Sequence, residues 1–312
     1  MESKTPTTKE VKVEFTGLIR VFNDGSVERL FAPPHVPPTP EDPETGVASK
    51  DIKIPANTNL SARLYLPKLT NNNHHIPLLV YFHGGGFCVE SAFSVLNHRY
   101  MNTLASQAQV IIVSVEYRLA PEHPLPTAYE DCWTALNWAV SLSDPWLATH
   151  ADLNKLFIGG DSAGGNIVHN IAMRAGQESL DKVKILGAFL SHPYFLDDEN
   201  NQLEMDYMYK IWDFVYPTAP GGFNNHMINP TGVGAPRLSA LGCSRVLVVV
   251  AEKDELRDGA VRYTDALKKS GFQGVVELLE VQGEGHCFHM SNPDTDNAKL
   301  VFKRLVTFLT NS

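Results

Sequence analysis

Cysteine is scarce: Cys88, Cys132, Cys243 and Cys287 are the only four in 312 residues. Their spacing suits neither a dense disulfide framework nor a CxxC-type metal site, so four free thiols and no metal are expected. Basic charge is also short. Lys and Arg number 26 against 35 Asp and Glu, a net charge of −9, and a protein without a basic footprint cannot displace the counterions of nucleic-acid phosphates. No stretch approaches the ~18 uninterrupted apolar residues of a membrane span. The amino terminus, Met1-Glu2-Ser3-Lys4-Thr5-Pro6, leads into polar sequence without the apolar run of a secretory signal. These absences predict a soluble, cytoplasmic protein with no nucleic-acid or membrane partner. Low complexity and internal repeats are lacking too, and nothing marks a linker, so a single domain over residues 1–312 is expected.

Hydrophobic residues make up 43% of the chain, enough for a packed core. Near the start, 17–22 and 26–30 alternate apolar and polar around Asn23-Asp24-Gly25, which predicts a hairpin because Asp-Gly accepts the positive φ of a tight turn. Residues 32–40 hold five prolines and predict a stiff surface loop. From Leu60 onward, β-branched runs at 60–66, 78–82, 110–115, 156–158, 185–190, 246–250 and 275–281 read as strands buried on both faces. Helical patterns at about 95–106, 129–141, 163–175, 258–270 and 293–309 lie between them. The alternation predicts an α/β protein with a mostly parallel central sheet and helices on both faces. The interval from Pro193 to about Leu241 breaks the rhythm and is too long for a plain connection, so it reads as an insertion over one end of the sheet.

Gly160-Asp161-Ser162-Ala163-Gly164 falls between a predicted strand and a predicted helix. A nucleophilic serine on a strained strand-to-helix turn needs glycines on both sides, because strand and helix backbones approach closely there. A phosphate-loop reading fails, since Gly165-Asn166 stand where Gly-Lys-Ser/Thr is required. Upstream, His83-Gly84-Gly85-Gly86-Phe87 follows the strand at 78–82, and consecutive glycines leave N–H groups uncovered for an oxyanion. The expected donors are the amides of Gly85, Gly86 and Ala163. A serine hydroxyl needs a base held by a carboxylate, in the chain order Ser, Asp, His. Asp254 lies just past the strand at 246–250, and His286 follows the strand at 275–281 after a glycine-rich loop. Asp258 suits a helix amino terminus better, Glu252 and Glu255 read as surface charges, and His289 is a decoy. Cys88 and Cys287 border the oxyanion loop and the base, where a thiol reagent is expected to reach activity. Phe87, Tyr207, Met208, Trp212, Phe214 and Phe223 are candidates to line an apolar substrate pocket, against the plainer reading of core aromatics at helical spacing.

Taken together, His83-Gly84-Gly85-Gly86-Phe87, Tyr117-Arg118-Leu119-Ala120-Pro121-Glu122-His123, Gly160-Asp161-Ser162-Ala163-Gly164-Gly165-Asn166, Asp254-Glu255-Leu256-Arg257-Asp258 and Gly285-His286-Cys287-Phe288 resemble the hormone-sensitive-lipase branch of the α/β hydrolases. Within it, the chain is similar to plant class I carboxylesterases, whose relatives include gibberellin receptors, 2-hydroxyisoflavanone dehydratases and alkaloid cyclases. The resemblance implies an α/β-hydrolase fold with a cap from about 1–50 and 195–235. It also implies a Ser162–Asp254–His286 triad, no cofactor, and hydrolysis of a small-molecule ester of specialised metabolism or xenobiotic origin. The receptors lack the triad histidine, and the dehydratases typically carry threonine where Ser162 stands. Cyclases keep triad-like residues but vary the oxyanion loop and the elbow, both intact here, so a lyase or cyclase is the main alternative and a receptor the lesser one.

Overall fold

A computed structural model describes residues 9–55, 60–69, 75–180, 183–196 and 206–310. Three short strands near the start, β1 (Val11–Phe15), β2 (Ile19–Phe22) and β3 (Val27–Arg29), form a small antiparallel sheet. The expected hairpin is β2–β3: Gly25 takes φ +82° and Asp24 accepts the Ser26 N–H at 2.9 Å. Strand β1 adds a partner that the sequence reading leaves out.

Eight further strands make the main sheet: β4 (Ala48–Lys53), β5 (Ser61–Leu66), β6 (Ile76–Phe82), β7 (Ile111–Glu116), β8 (Ala151–Asp161), β9 (Ile185–Ser191), β10 (Arg245–Ala251) and β11 (Val275–Val281). Their order is β11-β10-β9-β8-β6-β7-β5-β4. Pairing is parallel from β11 to β7 and antiparallel at β5 and β4, the mostly parallel sheet expected. Helices α1 (Val95–Ala108), α2 (Thr127–Val140), α3 (Pro145–His150), α4 (Ala163–Ala175), α5 (Asp206–Val215), α6 (Arg257–Lys269), α7 (Phe288–Ser291) and α8 (Asp296–Thr310) fill the intervals. Among the described residues, no helix is long and apolar enough to cross a membrane.

Alternation along each strand splits the core. Leu78, Val80 and Phe82 join Ile167, Ile171 and Leu136 of α4 and α2 on one face. Leu79 and Tyr81 join Leu104, Phe302 and Leu305 of α1 and α8 on the other. Local signals set the helix starts: Ser94 Oγ accepts from Asn97 N to open α1, and Asp144 accepts from Trp146 N with Pro145 next in line to open α3. The proline-rich loop is pinned to the body, with Val36 N–H to Phe93 O at 3.0 Å and Val95 N–H to Pro34 O at 2.8 Å. Chain order reverses between β6 and β8, and at such a switch point the loops leaving the carboxyl ends of neighbouring strands diverge and open a crevice.

Candidate active site

Ser162 sits between β8 and α4 with φ 52° and ψ −116°, a conformation costly for a side chain with a Cβ. Its surroundings hold it there. Ser162 N donates to Ser191 O at 2.8 Å, while Ser162 O accepts from Tyr194 N at 3.0 Å and Asn166 N at 3.1 Å. The flanking glycines are dictated by contact: a Cβ on Gly164 would meet Phe82 O at 1.9 Å, and one on Gly160 would meet Gly164 C at 2.5 Å. The loop after β6 lies alongside. Among the described residues, the Gly85 and Gly86 N–H groups meet no acceptor, and Ala163, as the first residue of α4, has no intrahelical acceptor for its own. His83, in the same motif, is fully buried, stacks on Tyr117 at 4.2 Å, and is pushed down to about 4 by burial.

His286 and Asp254 meet directly, Nδ1 to Oδ2 at 2.8 Å, with the imidazole side chain 39% accessible and the carboxylate 2%. The other Asp254 oxygen accepts from Leu256 N at 2.9 Å, so the carboxylate is held by its own loop. The loops after β10 and β11 are also joined by Lys253 N to Glu284 O at 2.9 Å and Gly283 N to Glu252 Oε2 at 2.8 Å. Desolvation works against the imidazolium, while the Asp254 carboxylate, through its hydrogen bond and its charge, raises the His286 pKa above its ordinary 6.5. His192 packs edge-on against His286 at 5.6 Å and stacks on His289 at 5.4 Å. Both are buried and held neutral, His289 at about 3, by desolvation first and neighbouring histidines second. His289, the expected decoy, is thus a core residue. Asp258 pairs with Arg257 at 2.6 Å in the first turn of α6, and Glu252 and Glu255 are exposed.

Sequence reasoning assigns no part to Asp161, yet its buried carboxylate joins three segments. One oxygen accepts from Tyr81 OH at 2.5 Å and Gly84 N at 3.0 Å; the other faces Cys287 Sγ at 3.9 Å. The turn at Ser162, the glycine loop after β6 and the loop after β11 therefore share one acceptor. A buried acid beside the elbow in the sequence was the available signal, since a carboxylate without a counter-charge needs donors. Burial pushes the Cys88 thiol to about 12 and Cys287 to about 11, values that leave little thiolate for a thiol reagent. None of the four cysteines is paired. Phe87, Glu90, Ser162, His192 and Cys287 account for five of the seven positive-φ residues other than glycine among those described. Backbone strain is thus gathered around this one edge of the sheet.

Of the aromatic candidates, Phe87 and Trp212 are buried, Phe87 against Tyr129 and Tyr194 and Trp212 against Tyr216 with its N–H on Gly222 O. Tyr207 is 38% exposed and donates to Thr16 O at 3.2 Å. Phe214 packs on Phe15 at 5.1 Å, Met208 is partly buried against the same core cluster, and Phe223 lies edge-on to Tyr209 at 5.0 Å. Helix α5 thus packs on the amino-terminal strands, while residues 1–8 and 197–205 of the expected cap lie outside the described residues. A Cβ on Gly86 would meet Ile211 Cγ2 at 3.5 Å, Cys88 Sγ at 3.8 Å and Leu18 Cδ2 at 3.9 Å. Ile211 and Leu18 were not sequence candidates, because only the fold brings them to the loop.

A family model described as alpha/beta hydrolase fold matches residues 79–290. The chain is 50% identical to 2-hydroxyisoflavanone dehydratase of Glycyrrhiza echinata, over 98% of each chain. It is 45% identical to tabersonine synthase of Catharanthus roseus over 93% of this chain and 95% of that one. Probable carboxylesterase 1 of Arabidopsis thaliana is 43% identical over 96% and 98%. Among solved structures, the hyperthermophilic esterase of the archaeon Pyrobaculum calidifontis superposes with a TM-score of 0.70 at 28% identity, covering 84% of this chain and 85% of that one. Sheet order, the elbow after β8 and these matches agree, and the chain belongs to the alpha/beta hydrolase fold family, with plant dehydratases, alkaloid synthases and carboxylesterases among its relatives.

Proposed function

We propose that the protein is a carboxylesterase acting on a small-molecule ester through an acyl-enzyme, on one domain whose cap comes from about 1–50 and 195–235. The observation that carries the reading is the His286–Asp254 contact at 2.8 Å, made by loops leaving β11 and β10 at the sheet edge where Ser162 stands. With Nδ1 committed to Asp254, Nε2 is the nitrogen left to take the Ser162 proton as the hydroxyl attacks the ester carbonyl. The amides of Gly85, Gly86 and Ala163 then stabilise the oxyanion. His286 returns the proton to the departing alcohol, and a water deprotonated by the same ring releases the acid. The chemistry needs no cofactor.

A second reading is favoured by the relative at 50% identity, a dehydratase by name. There His286 would take a carbon-bound proton from the substrate and return it to the departing hydroxyl, which leaves as water, without acylation of Ser162. Treatment with p-nitrophenyl acetate and an organophosphate, followed by mapping of the adduct, separates the two. The esterase reading expects a burst and label on Ser162, and Ser162→Ala should cut ester turnover on the order of 10⁴-fold or more. Ester turnover that survives the substitution, or an unlabelled Ser162, overturns it.

A further inference from the structure

The amino-terminal sheet is tied to the body by one residue in particular. Among the described residues, the ion pairs Lys9–Asp24, Arg20–Glu14 and Arg20–Glu28 stay within that sheet, whereas Arg29 pairs outside it, with Glu122. Its guanidinium spans two loops. Nε donates to Cys88 O at 2.9 Å, Nη2 to Ala120 O at 3.3 Å, and Nη1 and Nη2 to the Glu122 carboxylate at 3.0 and 2.8 Å. Those loops are themselves joined, because Ala120 N donates to Phe87 O at 2.9 Å. Cys88 closes the turn that begins at Gly85, with Cys88 N and Val89 N both on Gly85 O at 3.1 and 3.0 Å. The oxyanion loop is therefore held from outside by an arginine of a different sheet.

The residues after Arg29 reach the other way. Leu30 N and Phe31 N both donate to Leu18 O, at 2.9 and 3.1 Å, and the Leu18 side chain stands over Gly86 with Ile211 and Cys88. Planar and carrying five donors, a guanidinium can hold two carbonyls and both oxygens of a carboxylate at once, four bonds where an ammonium has three donors.

We infer that Arg29 is a positioning residue that latches the amino-terminal sheet onto the oxyanion loop, and that Leu18, held by that latch, is a specificity residue limiting the size of the ester substituent over Gly86. The inference rests on the esterase reading for its kinetic consequence but not for its structural one. Glu122 is partly solvated, its side chain 44% accessible, so the ion pair itself contributes little and the two carbonyl contacts contribute more.

The test combines hydrogen exchange with kinetics on the full chain. Arg29→Ala should speed amide exchange across residues 11–31 at least tenfold while β8 and β10 keep their protection, and should raise KM for p-nitrophenyl butyrate about tenfold. Arg29→Lys should recover less than half of either effect on a logarithmic scale, and Glu122→Gln should change KM less than threefold. Leu18→Ala should move the preference across p-nitrophenyl acetate, butyrate, hexanoate and octanoate toward longer chains by about tenfold in kcat/KM. Unchanged exchange in Arg29→Ala, or an unchanged chain-length profile in Leu18→Ala, overturns the latch or the specificity role respectively. If wild-type protein turns over no ester and Ser162 takes no label, the esterase reading fails, while hydrogen exchange still decides the latch.

Discussion

A single carboxylate, Asp161, shows how much a residue beside the nucleophile can carry. It serves Tyr81, Gly84 and Cys287 from the interior, and burial raises its own pKa despite those donors. Asp161→Ala leaves two buried donors, Tyr81 OH and Gly84 N, and the partly buried Cys287 thiol without an acceptor and should cost about 2–4 kcal/mol in urea unfolding. Asp161→Asn, whose amide oxygen still accepts from Tyr81 and Gly84, should cost less than half of that. Equal losses for the two would show that the hydrogen bonds do not matter. His286 makes a second residue-scale prediction. A base must be neutral to accept a proton, and a pKa raised well above 6.5 keeps the imidazolium to higher pH. Ester turnover should therefore fall on the acid side with a midpoint above 6.5, read from kcat/KM against pH. A midpoint at or below 6.5 contradicts it.

Elements differ in how openly they announce themselves. Strands covered on both faces were legible as apolar runs, and β6, β7, β9, β10 and β11 lie within about two residues of where composition puts them. Strand β8 extends well beyond the expected 156–158 because Asp152, Asn154 and Lys155 at its start face partly to solvent. Edge strand β4 has no apolar run to show it, because Lys50, Asp51 and Lys53 interrupt it, although an edge tolerates charge. The short helices α3 and α5 draw their order from neighbours, Lys50 over Trp146 for one and Phe15 against Phe214 for the other. The elbow yields a paired prediction on α4 and the base loop. Gly164→Ala drives a Cβ against backbone at Phe82 O and should lose about 3 kcal/mol or more, or fail to fold. Gly285→Ala, with open space at its Cβ, should stay within about 0.5 kcal/mol. Similar unfolding midpoints for the two would refute the close-approach argument.

For the whole molecule, opposing titrations set the pH of greatest stability. Burial lowers His83 to about 4, His169 and His289 to about 3, and His192 well below 6.5. Stability from such groups is present above the unfolded value of 6.5 and lost as pH falls toward the folded one. Burial raises Glu90 and Glu116 from 4.5 to about 7, and their contribution has the opposite sign, present below 4.5 and lost as pH rises through 7. Near pH 5.5 the four histidines take up protons on unfolding and the two glutamates release them, and the histidines are the more numerous, so stability should fall on acidification. Denaturant unfolding from pH 5 to 7 checks this, and a stability that rises as pH drops contradicts it. The sequence by itself determined the parallel sheet and the places of Ser162, Asp254 and His286 along it, because hydrophobic period and glycine spacing are local properties. Only the tertiary structure decided that Asp161 ties three loops, that Leu18 and Ile211 stand over Gly86, and that Arg29 grips the oxyanion loop. Such contacts join residues up to 126 positions apart, and no local pattern encodes a meeting that depends on how the strands are ordered.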